Sequence, residues 1–265
     1  MSNTEQTIYE LAGRIQPPDH DSVESVLKRL PKELGPLRLL AARIAGAQRL
    51  DKPAAGLKGL ALFAADSPGS RAVCARVREL LTARGPLHAL ARQYSVKLGM
   101  VDVGLAVDFI QTELANQILR QHPRATDSAD EAVWESLQAG VRTACLMKGK
   151  GTDIFGLGML REPGTTNSQL ADIGRTSDWA LGASVGFLLA AADLQTPVVI
   201  SGPDCALAAR LAKGVAPAVA DYLIVAQSGD AHEPLPPLLG SAIPHELAVI
   251  LGLSLCEGAA RVAVV

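Results

Sequence analysis

The sequence predicts an α/β fold, with one parallel sheet covered on both faces by helices and a small helical segment in front of it. Three observations carry this. The first fifty residues place apolar side chains at helical spacing. From Leu57 onward, short apolar runs alternate with longer helical stretches. Those runs hold few alternating polar residues, as strands buried on both faces do. The 265 residues suffice for one large α/β domain or two small ones.

The elements follow in order. "DSVESVLKRL" opens on a cap-like Asp or Ser and continues at helical spacing. "GPLRLLAARIAGAQRL" sets Leu37, Leu40, Ala41, Ile44 and Ala47 or Gln48 at steps of three to four. "DKPAAG" reads as a linker, dividing a helical segment (1–54) from an α/β part (55–265). Strands are predicted over 59–65, 96–104, 151–158, 196–202 and 221–227. Helices are predicted over 70–83, 86–94, 108–121, 129–147, 165–173, 178–193 and 203–213. Right-handed crossovers join neighbouring strands in such a sheet.

Composition excludes several function classes. Hydrophobic residues make up 48% and charged residues 20%, so the chain can bury a core. A net charge of −2 without a basic tract gives a nucleic-acid or membrane-surface role little electrostatic support. Cys74, Cys145, Cys205 and Cys256 lie far apart without a CxxC, which fits a reducing cytoplasm better than a disulfide framework or a zinc site. "MSNTEQTIYELAGRI" is polar and unlike a secretory signal. "WALGASVGFLLAAADL" is too short to span a bilayer and reads as a buried helix.

Ligands bind beyond the carboxyl ends of strands in sheets of this class. Ala65-Asp66-Ser67, Asp102-Val103-Gly104, Gly158, Ser201-Gly202 and Gln227-Ser228-Gly229-Asp230 stand at those ends. They fit either one polar rim or ordinary turn chemistry. In "FGLGMLREPGTTNSQLADIG", Gly164-Thr165-Thr166-Asn167 sits at a helix start. That suits an anion, and it equally suits a helix cap. The stretch matches neither the P-loop nor GxGxxG. Glu257 in "LSLCEGAARVAVV" has small and apolar neighbours. Desolvation there would raise its pKa and suit a general base; a solvent-facing cap of the last helix is the alternative. His20, His88, His122, His232 and His245 lack metal-ligand spacing, although His232 is near Asp230 and His245 adjoins Glu246.

In collinear order, these pieces resemble the nicotinate-nucleotide–dimethylbenzimidazole phosphoribosyltransferases. "LPKELGPLRLLAARIAGAQ" is similar to the family's first glycine-containing helix start, and "ALFAADS" to its strand ending Ala-Asp-His-Gly. "LHALARQYSVKLGMVDVGL" resembles its Val-Asp-Val-Gly strand. "ESLQAGVRTACLMKGKGTDIFGLG" resembles the helix before its Leu-Gly-Glu strand end. "TPVVISGPDCALAARLAKGVAPAVADYLIVAQSGDAHEP" and "LGLSLCEGAA" follow its last segments. The resemblance spans most of 30–262.

The resemblance implies a Rossmann-like domain and transfer of phosphoribose from nicotinate mononucleotide to a benzimidazole-type base. The products are α-ribazole phosphate and nicotinate, and no metal or organic cofactor takes part. It maps the catalytic base onto Glu257. Phosphate and nucleotide contacts map onto Gly164, Thr165, Thr166, Arg161, Ser201, Gly202, Ser228 and Asp230. The base pocket maps onto Asp66, Met159 and Leu255. It also implies a homodimer through the helical segment, or a heteromer with an intact homologue.

The departures cluster at the phosphate loop. Met159 stands where the family has a strand-end glutamate, Arg161 and Pro163 stand for two glycines, and Gly164 for an asparagine. Proline removes a backbone donor, and Arg161 either blocks the phosphate or supplies charge to it. Gly174-Arg175-Thr176 stands for a longer Gly-Arg-Gly-Thr-Gly segment, and Ser67 for the family histidine. Two functional readings follow. One is an active phosphoribosyltransferase. The other is a divergent relative that binds a ligand, or serves as a partner subunit, without that activity.

Overall fold

A computed structural model describes residues 3–67, 69–82, 85–107, 109, 118–122, 129–162, 169–227 and 244–264. Three helices come first: α1 (Asn3–Arg14), α2 (His20–Arg29) and α3 (Pro36–Gln48). Then follow β1 (Lys58–Ala65), α4 (Ala72–Thr82), α5 (Pro86–Gln93), β2 (Val96–Gly104) and β3 (Ile118–Arg120). The second half holds α6 (Ala129–Gly149), β4 (Ile154–Leu160), α7 (Leu170–Thr176), α8 (Trp179–Asp193) and β5 (Val198–Ser201). It closes with α9 (Gly202–Val215), a 3-10 turn, β6 (Leu223–Gln227) and α10 (His245–Val264).

The six described strands form one sheet in the order β3-β2-β1-β4-β5-β6, and every pairing is parallel. This is the doubly wound Rossmann arrangement, and its strand order reverses between β1 and β4. Those two strands are buried along their whole length, which is why neither alternates polar with apolar residues. Along β1, Ala61 and Phe63 face a core layer shared with α1, α6, α8 and α9. Leu60 and Leu62 face the other layer, shared with α3, α4, α5 and α10. The period of two separates the layers.

α8 is apolar all round because it is enclosed all round, and Asp178 caps its start. It crosses α6 at backbone contact. A Cβ on Gly140 would lie 1.8 Å from the Ala183 carbonyl oxygen, and one on Gly186 would lie 1.9 Å from that of Leu137. α10 is long and apolar enough to cross a bilayer. Instead it packs on α3 and the sheet and carries Glu246 and Glu257 in ion pairs, as a core helix of an α/β domain does.

Three sequence expectations need correction. The predicted helix 165–173 has its described start at Leu170, where the extended Gln169 is the N-cap, and it runs to Thr176. Residues 118–120 lie in the predicted helix 108–121 but form β3, paired with Met100–Asp102 on β2. The free edge of β2 offers backbone partners that local helical spacing does not register, and Gln121 N–H continues the ladder to the Asp102 carbonyl at 2.8 Å. The predicted strand 151–158 starts only at Ile154, because Gly151, at φ 79°, still belongs to the turn after α6.

Gly140→Ala should destabilise the fold by about 2 kcal/mol or more through overpacking, while Gly13→Ala on the exposed face of α1, where a new Cβ meets nothing within 4 Å, should be neutral or stabilising. Thermal unfolding of both variants checks this.

Candidate functional site

At the carboxyl edge of the sheet, the reversal between β1 and β4 brings Asp66 and Ser67 opposite Arg161 and Glu162. The crevice here is almost closed. Its cavity is about 10 Å³, room for roughly one water. Asp66 is committed to the backbone. Its Oδ1 accepts from the N–H of Val73 (2.9 Å) and Cys74 (3.2 Å) at the start of α4. Its Oδ2 accepts from Ala106 N–H (3.0 Å) and the Cys74 thiol (2.7 Å). Burial first, then this contact with Asp66, pushes the Cys74 thiol up to about 11. Beside this crevice, Glu162 Oε1 is buried without a hydrogen-bond partner.

The roomier pocket lies one strand over. About 290 Å³ opens between the carboxyl ends of β4 and β5 and the starts of α9 and α10. Met159, Arg161, Ser201, Gly202, Asp204 and His245 line it, with Arg76 and Glu246 paired at 2.7 Å on its wall. The start of α9 lies at this edge without a side-chain cap, and Pro203 in its first turn carries no N–H. Gly202 has φ 86°, and a Cβ on it would sit 2.6 Å from the His245 ring. The imidazole Nδ1 lies 3.1 Å from Gln227 Oε1 and 3.2 Å from Ser201 Oγ.

Arg161 is nearly enclosed, its side chain 9% exposed. Its Nη1 donates to Asp178 Oδ2, while Nε and Nη2 donate to Asp204 Oδ1 at 3.0 and 2.7 Å. Asp178 also caps α8 and Asp204 sits in the first turn of α9. One guanidinium therefore faces two carboxylates, and the group has no net positive charge to offer a phosphate.

Glu257 lies elsewhere. Its carboxylate is ion-paired with Lys58, the first residue of β1, whose side chain is 1% exposed, and with Arg261 one helical turn on. Lys58 marks the amino end of the sheet. Along α10, Glu257 is twelve residues beyond His245, a rise of about 18 Å. The expectation of a raised pKa is corrected. The Lys58 hydrogen bond holds the carboxyl below the usual carboxylate range, burial opposes it, and the charges of Lys58 and Arg261 reinforce it.

Of the residues singled out in the sequence, the structure gathers Arg161, Ser201, Gly202 and Met159 around one pocket. Asp66 stands at the neighbouring crevice. Leu255, half-buried on α10, packs in the layer toward the amino end, near Glu257. Gly164, Thr165, Thr166, Ser228 and Asp230 lie outside the described residues. Sequence reasoning missed Asp178, Asp204 and Lys58 as partners, while Gln227 was among the strand-end residues it singled out. It noticed His245 only for its neighbour Glu246. Among the described residues, no three His, Cys, Asp or Glu side chains are grouped to hold a metal.

A doubly wound sheet with its pocket at the carboxyl edge defines a class of α/β proteins that bind ligands beyond the strand ends. Comparison with known proteins narrows it. A family model described as "Phosphoribosyltransferase" matches residues 15–173 and 174–265. The nicotinate-nucleotide–dimethylbenzimidazole phosphoribosyltransferase of Roseiflexus sp. (strain RS-1) is 24% identical over 332 residues, covering 96% of this chain and 94% of its own. That of Azotobacter vinelandii is 25% identical over 298 residues, covering 87% and 84%. The crystal structure of the Thermus thermophilus enzyme of the same name superposes with a TM-score of 0.73 at 19% identity, covering 97% of this chain and 95% of that one. The chain belongs to this phosphoribosyltransferase family as a divergent member.

Glu257→Gln should cost on the order of 3 kcal/mol, because Lys58 is left buried and unpaired. The pair exchange Lys58→Met with Glu257→Leu should recover most of that loss. A lowered folded pKa contributes stability above the ordinary carboxylate value, and that contribution is lost as pH falls through the folded value. Wild type should therefore lose more stability than the exchanged pair between about pH 5 and pH 3. Denaturant melts across that range decide it.

Proposed function

We propose that this chain is a phosphoribosyltransferase acting on nicotinate mononucleotide and a benzimidazole-type base, at the pocket between the carboxyl ends of β4 and β5. The observation that carries this reading is that pocket. It sits at the sheet edge where the fold class binds nucleotides, and Met159, Arg161, Ser201 and Gly202 line it. In the reaction, the unprotonated ring nitrogen of the base attacks the anomeric carbon of the nucleotide. The bond from that carbon to the pyridinium nitrogen breaks, and nicotinate leaves with the electron pair. The proton on the other ring nitrogen passes to a base. The apolar walls from Met159 and Val249 suit a flat ring, and the start of α9 suits the phosphoribose. Glu257 enters this reading as the structural partner of Lys58. The exposed Leu37 and Leu39 on α3 support a contact between copies through the N-terminal helices.

A second reading has its own observation. Of the two arginines that line the pocket, Arg161 is neutralised by Asp178 and Asp204 and Arg76 is paired with Glu246, so the site is poorly charged for a phosphate. A ligand-binding relative, or a partner subunit of an intact homologue, fits that charge balance.

Purified protein mixed with nicotinate mononucleotide and 5,6-dimethylbenzimidazole should yield α-ribazole phosphate and nicotinate by liquid chromatography. Absence of product at high enzyme concentration favours the second reading. Asp204→Asn removes the carboxylate that competes with a phosphate for Arg161 and for the start of α9. Affinity for nicotinate mononucleotide should rise about tenfold by calorimetry.

A further inference from the structure

We infer that His245 is the group that takes the proton from the acceptor base. This deepens the reading above and rests on it. Three contacts fix the ring. Gln227, 2% exposed, places Oε1 at 3.1 Å from Nδ1. Ser201, 4% exposed, places Oγ at 3.2 Å from Nδ1 and donates to the same Gln227 oxygen at 3.4 Å. Gly202 leaves room for the imidazole, where any Cβ would meet ring carbons at 2.6 and 2.7 Å.

A glutamine carbonyl oxygen can only accept. It therefore selects the neutral tautomer with hydrogen on Nδ1, which leaves the lone pair on Nε2. The imidazole lines the pocket and sits at its solvent-accessible rim. That is the orientation a general base needs: one nitrogen anchored by buried partners, the other available to substrate.

The arginines around it are ion-paired, and the charges together leave a net −1. Arg76 of α4 is paired with Glu246, the next residue of α10, and Arg161 beyond β4 is paired with Asp178 and with Asp204 of α9. The Cys205 thiol on α9 is fully buried, and burial pushes it up to about 12, so it is not a competing base. The terminal-motif glutamate cannot serve this pocket from about 18 Å along α10. In the step itself, the N–H bond of the attacking benzimidazole breaks, its electrons stay on the ring nitrogen, and the proton moves to Nε2. The imidazolium then releases that proton to solvent.

The test has two arms. In the kinetic arm, His245→Gln should lower kcat by at least about a hundredfold, leave the calorimetric Kd for nicotinate mononucleotide within about threefold, and abolish the acidic limb of the kcat/KM pH profile. The exchanged pair Lys58→Met with Glu257→Leu should keep the wild-type rate. Retention of rate and limb by His245→Gln, or their loss only in the exchanged pair, overturns the inference while the proposed reaction stands. In the second arm, nitrogen-15 spectra of histidine-labelled protein should show His245 protonated on Nδ1, with Nε2 shifting on addition of 5,6-dimethylbenzimidazole. Gly202→Ala should erase that shift. If wild type makes no product, the proposed reaction fails, and the spectra alone decide the inference. An Nε2-protonated ring, no binding, or binding without a shift at Nε2 overturns it.

Discussion

Arg161 and the two carboxylates that hold it are the constraint on which the site depends. The guanidinium follows directly on β4, Asp178 starts α8, and Asp204 starts α9. A single buried cation therefore fixes the entry of two helices onto the carboxyl edge of the sheet. Desolvating Arg161 and Asp178 is costly, and the charge-assisted hydrogen bonds to Asp178 and to the half-exposed Asp204 offset that cost. The Arg161 charge is already engaged in the fold, so in the proposed reading recognition falls to the start of α9 and to the residues around Ser201 and His245.

The opposite edge uses the same device. Lys58 begins the central strand and is enclosed by α10, where Glu257 answers its charge. This ties the last helix to the first strand across 199 residues of chain. The glutamate that the family resemblance marks as catalytic is thereby engaged at the amino end, while the pocket lies at the carboxyl end. The family fold is kept, and in the reading proposed above the acid–base step falls to His245, which the same helix presents at its other end.

Much of the fold was legible because its causes are local. The apolar runs of β1, β2 and β6 announced themselves through composition, and α8 through its length and lack of charge. β3 was not legible, since three residues gain strand geometry only from the exposed edge of β2. At the site, the strand-end rule found Ser201, Gly202 and Asp66. It could not reveal that Asp66 is consumed by three backbone N–H groups and a thiol. Nor could spacing show that Glu257 meets a lysine from the start of β1, which reverses the direction in which its acidity moves. His245 sits beside Glu246 in sequence, but its working partners, Ser201 and Gln227, come from the ends of β5 and β6.

The central claim is that the ligand pocket and the Lys58–Glu257 pair occupy opposite ends of the sheet. A crystal structure with nicotinate mononucleotide and 5,6-dimethylbenzimidazole bound tests it most directly. The account predicts density between Met159, Ser201, Gly202 and His245, with a benzimidazole nitrogen within hydrogen-bond distance of His245 Nε2 and the Lys58–Glu257 pair intact. Density against Glu257, with Lys58 displaced from it, would contradict the account.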